Sequence, residues 1–201
     1  MTLIYGFDPL CGWCYGAVPM MRDLRRRRPG LPVRLVMAGL VTGGRIGPYA
    51  EMEGYIRGAS ERLEAVTGRR PSGAFFDLIR RAGVLGDSGP PAVAIDAVRR
   101  TSPEAALAFA HDLIEAHFER GMDLNDRAAY APLVKEHAPG LKLPDLHDPA
   151  LVEAAFADGR RLGIASFPSL ILLEGDRIRR LPSVYDADAL ISAIEGRTAA
   201  S

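Results

Sequence analysis

The stretch TLIYGFDPLCGWCY, residues 2–15, holds both cysteines of the 201-residue chain. Its first six residues (2–7) are mostly apolar and include β-branched and aromatic side chains, which predicts a short buried strand. Asp8 and Pro9 are typical of a turn, because proline fixes φ and aspartate bonds to nearby backbone N–H groups. The apolar spacing that follows is helical, so Cys11 is predicted to lie at the start of a helix.

That position gives the cysteine pair a chemical interpretation. The unpaired N–H groups and the macrodipole at a helix N-terminus favour an anion, and a thiolate is such an anion. Two intervening residues also place two sulfurs on one helical turn, where they can close a disulfide. The sequence therefore predicts a reversible dithiol/disulfide pair with both residues catalytic, Cys11 exposed and nucleophilic and Cys14 beneath it.

Two other interpretations of the pair remain open. Half of a zinc site has the same spacing, but a structural zinc ion needs four ligands and the chain has no second cysteine pair. No metal is expected within one chain, and a metal ion shared by two chains is the remaining form of this alternative. The cysteines could also be buried and only pack, although the neighbouring Pro9, Gly12 and Gly16 favour a tight, exposed turn.

Composition limits the classes of partner. The chain is 48% hydrophobic with a formal net charge of zero, which suits one globular domain, with or without an insertion, and gives no support for nucleic-acid binding. No apolar run approaches the ~18 residues of a membrane span, so no membrane partner is expected. The N-terminus has no features of a secretory signal, which predicts a cytoplasmic protein. In that compartment a C-x-x-C motif is more often catalytic than structural.

The rest of the chain predicts a sheet interrupted by helices. A second strand is expected over residues 31–38, which completes a βαβ unit. Strand character returns over 169–174 and 177–181, where Gly-Asp suggests a β-hairpin, and the last helix covers 186–195. Between these parts only helices are predicted, over residues 48–66, 72–82, 90–100, 103–120, 126–137 and 149–162.

This order predicts an α/β protein: a thioredoxin-like βαβ–ββα sandwich with an all-helical insertion. The expected division is residues 1–45 for the first thioredoxin-like part, 46–162 for the inserted helical domain and 163–201 for the second part. In such a sheet the third strand lies beside the first, so its beginning comes close to the cysteine pair.

Phe167 and Pro168 stand just before that third strand. An aromatic residue before proline tilts the peptide bond toward cis, and a cis proline in a tight turn is usually a deliberate feature. A cis bond would turn backbone groups of Ser166 or Phe167 toward Cys11, where they could pair with an extended peptide. A trans proline that starts a strand is the alternative.

The two ends of the chain resemble the DsbA-like branch of the thioredoxin superfamily, whose thioredoxin fold carries an inserted helical domain. The matching segments are FDPLCGWCYG (7–16) and GIASFPS (163–169). The resemblance implies a thiol–disulfide oxidoreductase with nucleophilic Cys11, resolving Cys14 and cis Pro168. The expected substrates are disulfide- or thiol-containing peptides, proteins or glutathione. No resident cofactor is implied, with glutathione as the one candidate co-substrate.

The dipeptide between the cysteines departs from the family's periplasmic oxidase, which has Pro-His there. Gly12-Trp13 supplies no positive charge, which predicts a weaker oxidant. Trp13 is expected on the rim beside Cys11, either folded onto Pro168 or the helices or serving as an apolar platform for substrate. Gly12, Trp13, Phe167 and Pro168 are therefore the predicted substrate-binding residues. A kappa-type glutathione transferase or isomerase shares this architecture and is the enzymatic alternative, although those relatives usually use serine.

Overall fold

The computed structural model describes residues 1–196, and within them it confirms the predicted α/β fold; residues 197–201 of the predicted second thioredoxin-like part lie outside the described residues. A four-stranded sheet is combined with eight α-helices in this part of the chain. The strands and helices are β1 (Thr2–Phe7), α1 (Gly12–Arg27), β2 (Val33–Met37), β3 (Gly47–Pro48), α2 (Glu53–Thr67), α3 (Gly73–Ile79), β4 (Leu85–Gly86), α4 (Gly89–Thr101), α5 (Ala106–Arg120), α6 (Ala131–His137), α7 (Pro149–Arg161), β5 (Ser169–Glu174), β6 (Arg177–Leu181) and α8 (Ala187–Ile194).

The main sheet has the strand order β2-β1-β5-β6. β1 pairs with β2 in parallel and with β5 in antiparallel, and β5 pairs with β6 as the predicted hairpin. The register places Gly6 opposite Ser169, and a Cβ on Gly6 would come within 2.9 Å of the Ser169 Cβ. This close approach brings the beginning of β5 to the end of β1, directly before the turn that leads to the cysteines.

The central strand β1 is buried on both faces. Leu3, Tyr5 and Phe7 point into the large core that is shared with α1 and the helices after β2, whereas Ile4 packs in a smaller cluster with Ile171 on the other face. A strand covered on both sides needs a nearly continuous apolar sequence. The run TLIYGF has that character, which explains why its strand prediction is correct.

The region between β2 and β5 is helical as predicted, with one exception. The two-residue strands β3 and β4 pair in antiparallel, with Gly47 opposite Gly86. The expectation of no strand beyond residue 48 is therefore wrong at Leu85–Gly86. A pairing of two residues carries no periodicity, so sequence patterns have nothing to detect there.

Helix α2 lies against the N-terminal part of α1 and forms one side of the space above the cysteines. A Cβ on Gly16 would come within 2.7 Å of the Leu63 side chain, so glycine is what allows the two helices to approach so closely. Arg69, just after α2, donates to the Tyr15 carbonyl at 3.0 Å and stacks over the Tyr15 ring. These contacts fix the helical region against the segment that carries the predicted site.

Helix α7 packs against β2 as well as against α4. The contact with the strand is tight, because a Cβ on Gly159 would come within 2.3 Å of the Met37 carbonyl oxygen. Helix α7 of the predicted inserted domain thus packs on a strand of the first thioredoxin-like part, and the domain division stays a prediction. None of the helices in residues 1–196 is both long enough and apolar enough to cross a bilayer.

Candidate active site

Both cysteines lie where the sequence places them, at the first turn of α1. Cys11 is the N-cap residue, with extended backbone angles of φ −87° and ψ 111°. Its N–H donates to the Asp8 carbonyl at 3.0 Å, which closes the turn, and its carbonyl accepts the Tyr15 N–H at 3.0 Å, which starts the helix. The sulfur of Cys11 therefore lies at the positive end of the helix.

The expectation that Cys11 is exposed is wrong. Cys11 is only 5% exposed and Cys14 is fully buried, and both are free thiols. The first turn of α1 is surrounded by three distant segments: the loop after β2, helix α2 and the turn before β5. The sequence around Cys11 gives no information about contacts with segments so far away in the chain. Cys11 is nevertheless not sealed off, because it lines a cavity of about 620 Å³.

The cavity draws its walls from distant parts of the chain. They include residues 10–13, the loop and turn around residues 40–52, helices α2, α3 and α5, and residues 165–167. Of the predicted site residues, Cys11, Gly12, Trp13 and Phe167 line it. Cys14 and Pro168 are buried behind this surface. A volume of this size falls in the range that small-molecule sites occupy.

The turn before β5 contacts the nucleophile position directly. The Phe167–Pro168 peptide bond is cis, the isomer expected from the sequence. The Cys11 thiol donates to the Phe167 carbonyl, with 3.6 Å between Sγ and oxygen. The Phe167 carbonyl thus lies beside the sulfur, and residues 165–167 line the cavity next to it.

Trp13 has an aromatic partner that the sequence did not predict. It is half-buried and lies against Tyr185, with 5.7 Å between ring centroids. Tyr185 belongs to the segment between β6 and α8, outside the helical region between β2 and β5. Trp13 still lines the cavity beside Cys11, as expected for the rim.

Asp8 is a buried connection between three segments. Its Oδ1 accepts the Leu10 N–H at 2.9 Å and the Ser88 hydroxyl at 3.0 Å, and its Oδ2 accepts the Leu40 N–H at 2.7 Å. The bond to Leu10 confirms the Asx-type turn that precedes Cys11. The other two bonds hold the loop after β2 and the beginning of α4 against that turn, so Asp8 positions one cavity wall.

Burial also determines the electrostatics below the cysteines. Burial raises the pKa of Asp8 from 3.8 to about 6, although its hydrogen bonds act in the opposite direction. The pKa of Cys14 is raised well above its ordinary value by burial, by a hydrogen bond with Cys11 and by the charge on Cys11. Burial likewise raises the pKa of Tyr185 to about 12, with a further contribution from the negative charge on either cysteine. The site therefore resists accumulation of negative charge beneath Cys11.

Two charged side chains of the cavity were not predicted from the sequence. Arg45 and Glu51 both line it and come from the loop and turn between β2 and α2. Arg45 contacts the Thr42 hydroxyl at 3.5 Å, and within residues 1–196 no carboxylate forms an ion pair with it. The surrounding Gly43-Gly44 signalled only a break in structure, so no motif pointed to these side chains.

Within residues 1–196, the cysteines are not part of a group of side chains that could hold a metal ion. In the described portion of the chain such a group consists of Asp112, Glu136 and His137. Asp112 already pairs with Arg22 at 2.6 Å and with His137 at 2.7 Å. The chemistry available at Cys11 and Cys14 is that of two adjacent thiols, one accessible from a cavity and one protected beneath it.

Solved structures with the same fold carry related chemistry. The cytosolic disulfide reductase DsbM from Pseudomonas aeruginosa is 29% identical, with 98% of each chain covered and a TM-score of 0.82. A structure of the same reductase with GSH is 28% identical over 98% of each chain, with a TM-score of 0.77. The comparison with protein-family models and that with curated proteins give no match.

A 2-hydroxychromene-2-carboxylate isomerase also shares the fold, at 16% identity and a TM-score of 0.59, over 98% of this chain and 94% of the isomerase. At that identity the likeness extends to the fold alone. The cysteine pair on its helix and the likeness to the disulfide reductase agree with each other. The chain is a DsbA-like protein of the thioredoxin superfamily, and it is a thiol–disulfide oxidoreductase.

Proposed function

We propose that the protein is a glutathione-dependent disulfide reductase that acts in the cytoplasm. The observation that carries this proposal is the position of Cys11: its sulfur is reached through a cavity of about 620 Å³ and is only 5% exposed. A tripeptide thiol such as glutathione fits a space of that size. The likeness to a cytosolic reductase that has been solved with GSH supports both the co-substrate and the compartment.

The proposed reaction gives each cysteine one role. Cys11, as thiolate, attacks one sulfur of the substrate disulfide; that bond breaks, and the departing thiolate takes up a proton. Cys14 then loses its proton and attacks the Cys11 sulfur, which releases the second thiol and leaves a Cys11–Cys14 disulfide. Two glutathione molecules reduce this disulfide and leave as oxidised glutathione, so the electrons come from glutathione.

The substrate-binding residues are proposed around this sulfur. The backbone of residues 165–167 borders Cys11 and can pair with an extended tripeptide. Gly12, Trp13 and Phe167 line the same space, whereas Pro168 acts from behind by shaping the turn. Arg45 is suited to bind a glutathione carboxylate, because it lines the cavity and its hydrogen bond is to the neutral Thr42 hydroxyl, although its charge also lowers the pKa of Asp8.

The direction of the reaction follows from the charges near the pair. A strong oxidant of this superfamily owes its potential to a stabilised reduced form. Here the pKa of buried Cys14 is raised and buried Asp8 disfavours further negative charge. The buried Cys14 thiol therefore gains no stability from ionisation, which favours a reducing protein. We expect a potential nearer to about −200 to −270 mV than to about −120 mV.

Replacing Arg45 with alanine tests the glutathione assignment. Arg45→Ala should raise the KM for glutathione by about tenfold, because a charged hydrogen bond contributes roughly 1.5–3 kcal/mol and part of it is lost to water. Arg45→Lys keeps the positive charge, so its KM for glutathione should lie between that of the wild type and that of Arg45→Ala. Steady-state rates at varied glutathione concentration give these values, and an unchanged KM in Arg45→Ala would contradict the assignment.

A further inference from the structure

The inner wall of the Cys11 cavity is apolar. Leu63 from α2, Phe75 from α3 and Phe118 from α5 line it, and all three are at most 3% exposed. Tyr49 adds a ring whose hydroxyl is already engaged with His117 at 3.2 Å. A polar group placed against this wall would lose its hydration without gaining a partner, whereas an apolar group would gain contacts there.

The mouth of the same cavity is also apolar. Ile46, Met52 and Tyr55 line it and are 39%, 47% and 66% exposed. Large apolar side chains that stay exposed together around an opening are typical of a binding site. In the described portion of the chain the charged side chains of the lining are Arg45 and Glu51, apart from Cys11 when it is ionised.

Glutathione accounts for only part of this surface. It is a charged, polar tripeptide, and its needs are met by Arg45, Glu51 and the backbone of residues 165–167 under the function proposed above. The apolar wall and the apolar mouth then have no counterpart in glutathione itself. In a mixed disulfide, a second thiol is joined to the glutathione sulfur. When that disulfide lies at Cys11, the group on the second thiol can reach the apolar wall and the apolar mouth.

We propose that the substrate is a small mixed disulfide between glutathione and a thiol that bears an aromatic or branched apolar group. This inference rests on the proposed function and specifies the substrate of the same site. Cys11 as thiolate attacks the glutathione sulfur, the S–S bond breaks, and the apolar thiol leaves with a proton. Glutathione then displaces Cys11, either directly or through Cys14, and departs as oxidised glutathione. The net reaction consumes one glutathione and produces the free apolar thiol.

The low exposure of Cys11 disfavours large substrates. A disulfide in a folded protein would have to bring its sulfurs to a thiol that is 5% exposed, inside a cavity that Trp13 and the 40–52 loop also line. A small disulfide enters the cavity without such a movement. The protein should therefore prefer small mixed disulfides over protein disulfides such as those of insulin.

Two mixed disulfides of glutathione separate this inference from the proposed function. One carries 2-phenylethanethiol and the other 2-mercaptoethanol, so the pair differs by a phenyl group in place of a hydroxyl. Each enzymatic kcat/KM is divided by the uncatalysed rate of the same disulfide with glutathione, which removes differences in leaving-group reactivity. We expect the phenylethyl compound to be preferred at least tenfold.

The cavity-filling variant Ala59→Leu tests independently whether the apolar space of the cavity causes this preference. Ala59 lines the cavity from α2 and is half-buried, so a larger side chain there occupies the apolar space. The preference should fall at least fivefold in Ala59→Leu. Ala65→Leu, on the exposed side of the same helix, is the matched control and should keep the wild-type preference.

Each result has a defined meaning. Equal normalised rates for the two disulfides, or faster reduction of insulin than of either, would overturn the inference and leave the glutathione-dependent reductase standing. Failure of the wild-type protein to consume either disulfide would overturn the proposed function, and the inference with it. A preference that Ala59→Leu leaves unchanged would also overturn the assignment of the apolar subsite.

Discussion

Cys11→Ser should lower kcat/KM for disulfide reduction by about a thousandfold or more. A serine hydroxyl stays protonated near neutral pH and is a far weaker nucleophile toward sulfur than a thiolate. Removal of a nucleophile commonly costs several orders of magnitude in rate. The measurement is glutathione-dependent reduction of a small disulfide, followed under steady-state conditions.

Cys14→Ser is the matched control for this effect. Cys14 is fully buried and does not line the cavity, so its loss leaves the attack by Cys11 intact. Glutathione can still displace Cys11 from a mixed disulfide, and the loss of rate should be clearly smaller than in Cys11→Ser. Equal losses in the two variants, or activity in Cys11→Ser, would show that the roles are assigned wrongly.

The titration of Asp8 should make the protein less stable as the pH rises from about 4 to 7. Burial raises its pKa from 3.8 to about 6 in the folded state. An acid whose folded pKa is raised contributes stability below its unfolded pKa and loses that contribution as the pH rises through the folded value. At neutral pH the ionisation of Asp8 thus lowers the free energy of unfolding by about 3 kcal/mol, relative to a protein in which the pKa of Asp8 is the same in both states.

Asp8→Asn isolates this contribution. Two buried histidines titrate in the opposite sense, because burial lowers the pKa of His111 to about 3 and of His117 to about 4. Their contribution is present at neutral pH and is lost as the pH falls below about 6.5. Both proteins contain these histidines, so they cancel in the difference between wild type and Asp8→Asn.

Urea unfolding of both proteins at several pH values gives that difference. Between about pH 4.5 and 7.5, Asp8→Asn should gain about 2 kcal/mol relative to wild type. The test uses the change of this difference with pH and not the absolute stability of the variant. Asparagine has an NH₂ group in place of one carboxylate oxygen, so it loses the hydrogen bond that Asp8 Oδ2 accepts from the Leu40 N–H. A difference that stays constant over this pH range would show that Asp8 does not titrate as assigned.

The elements that depend on local pattern could be predicted from the sequence. The apolar strand over residues 2–7 and the two hairpin strands over residues 169–174 and 177–181 have the predicted boundaries. The cysteine pair at the first turn of α1 and the proline turn beside it were also accessible, because both are carried by short motifs.

The walls of the site could not be predicted in the same way. The low exposure of Cys11, the cation Arg45 and the contact between Trp13 and Tyr185 all arise from segments that are far apart in the chain. Asp8 shows the limit well: its turn to Leu10 is local and was expected, whereas its bonds to Leu40 and Ser88 depend on the tertiary fold.

Trapping the covalent intermediate tests the central claim, that Cys11 reacts with disulfides through its cavity in the folded protein. Native Cys14→Ser would be mixed with oxidised glutathione, digested at low pH and examined by peptide mass spectrometry. Near-complete attachment of glutathione to Cys11 is expected. If Cys11 stays unmodified in the native protein yet is modified once the chain is unfolded in urea, the sulfur is closed off and the account is contradicted.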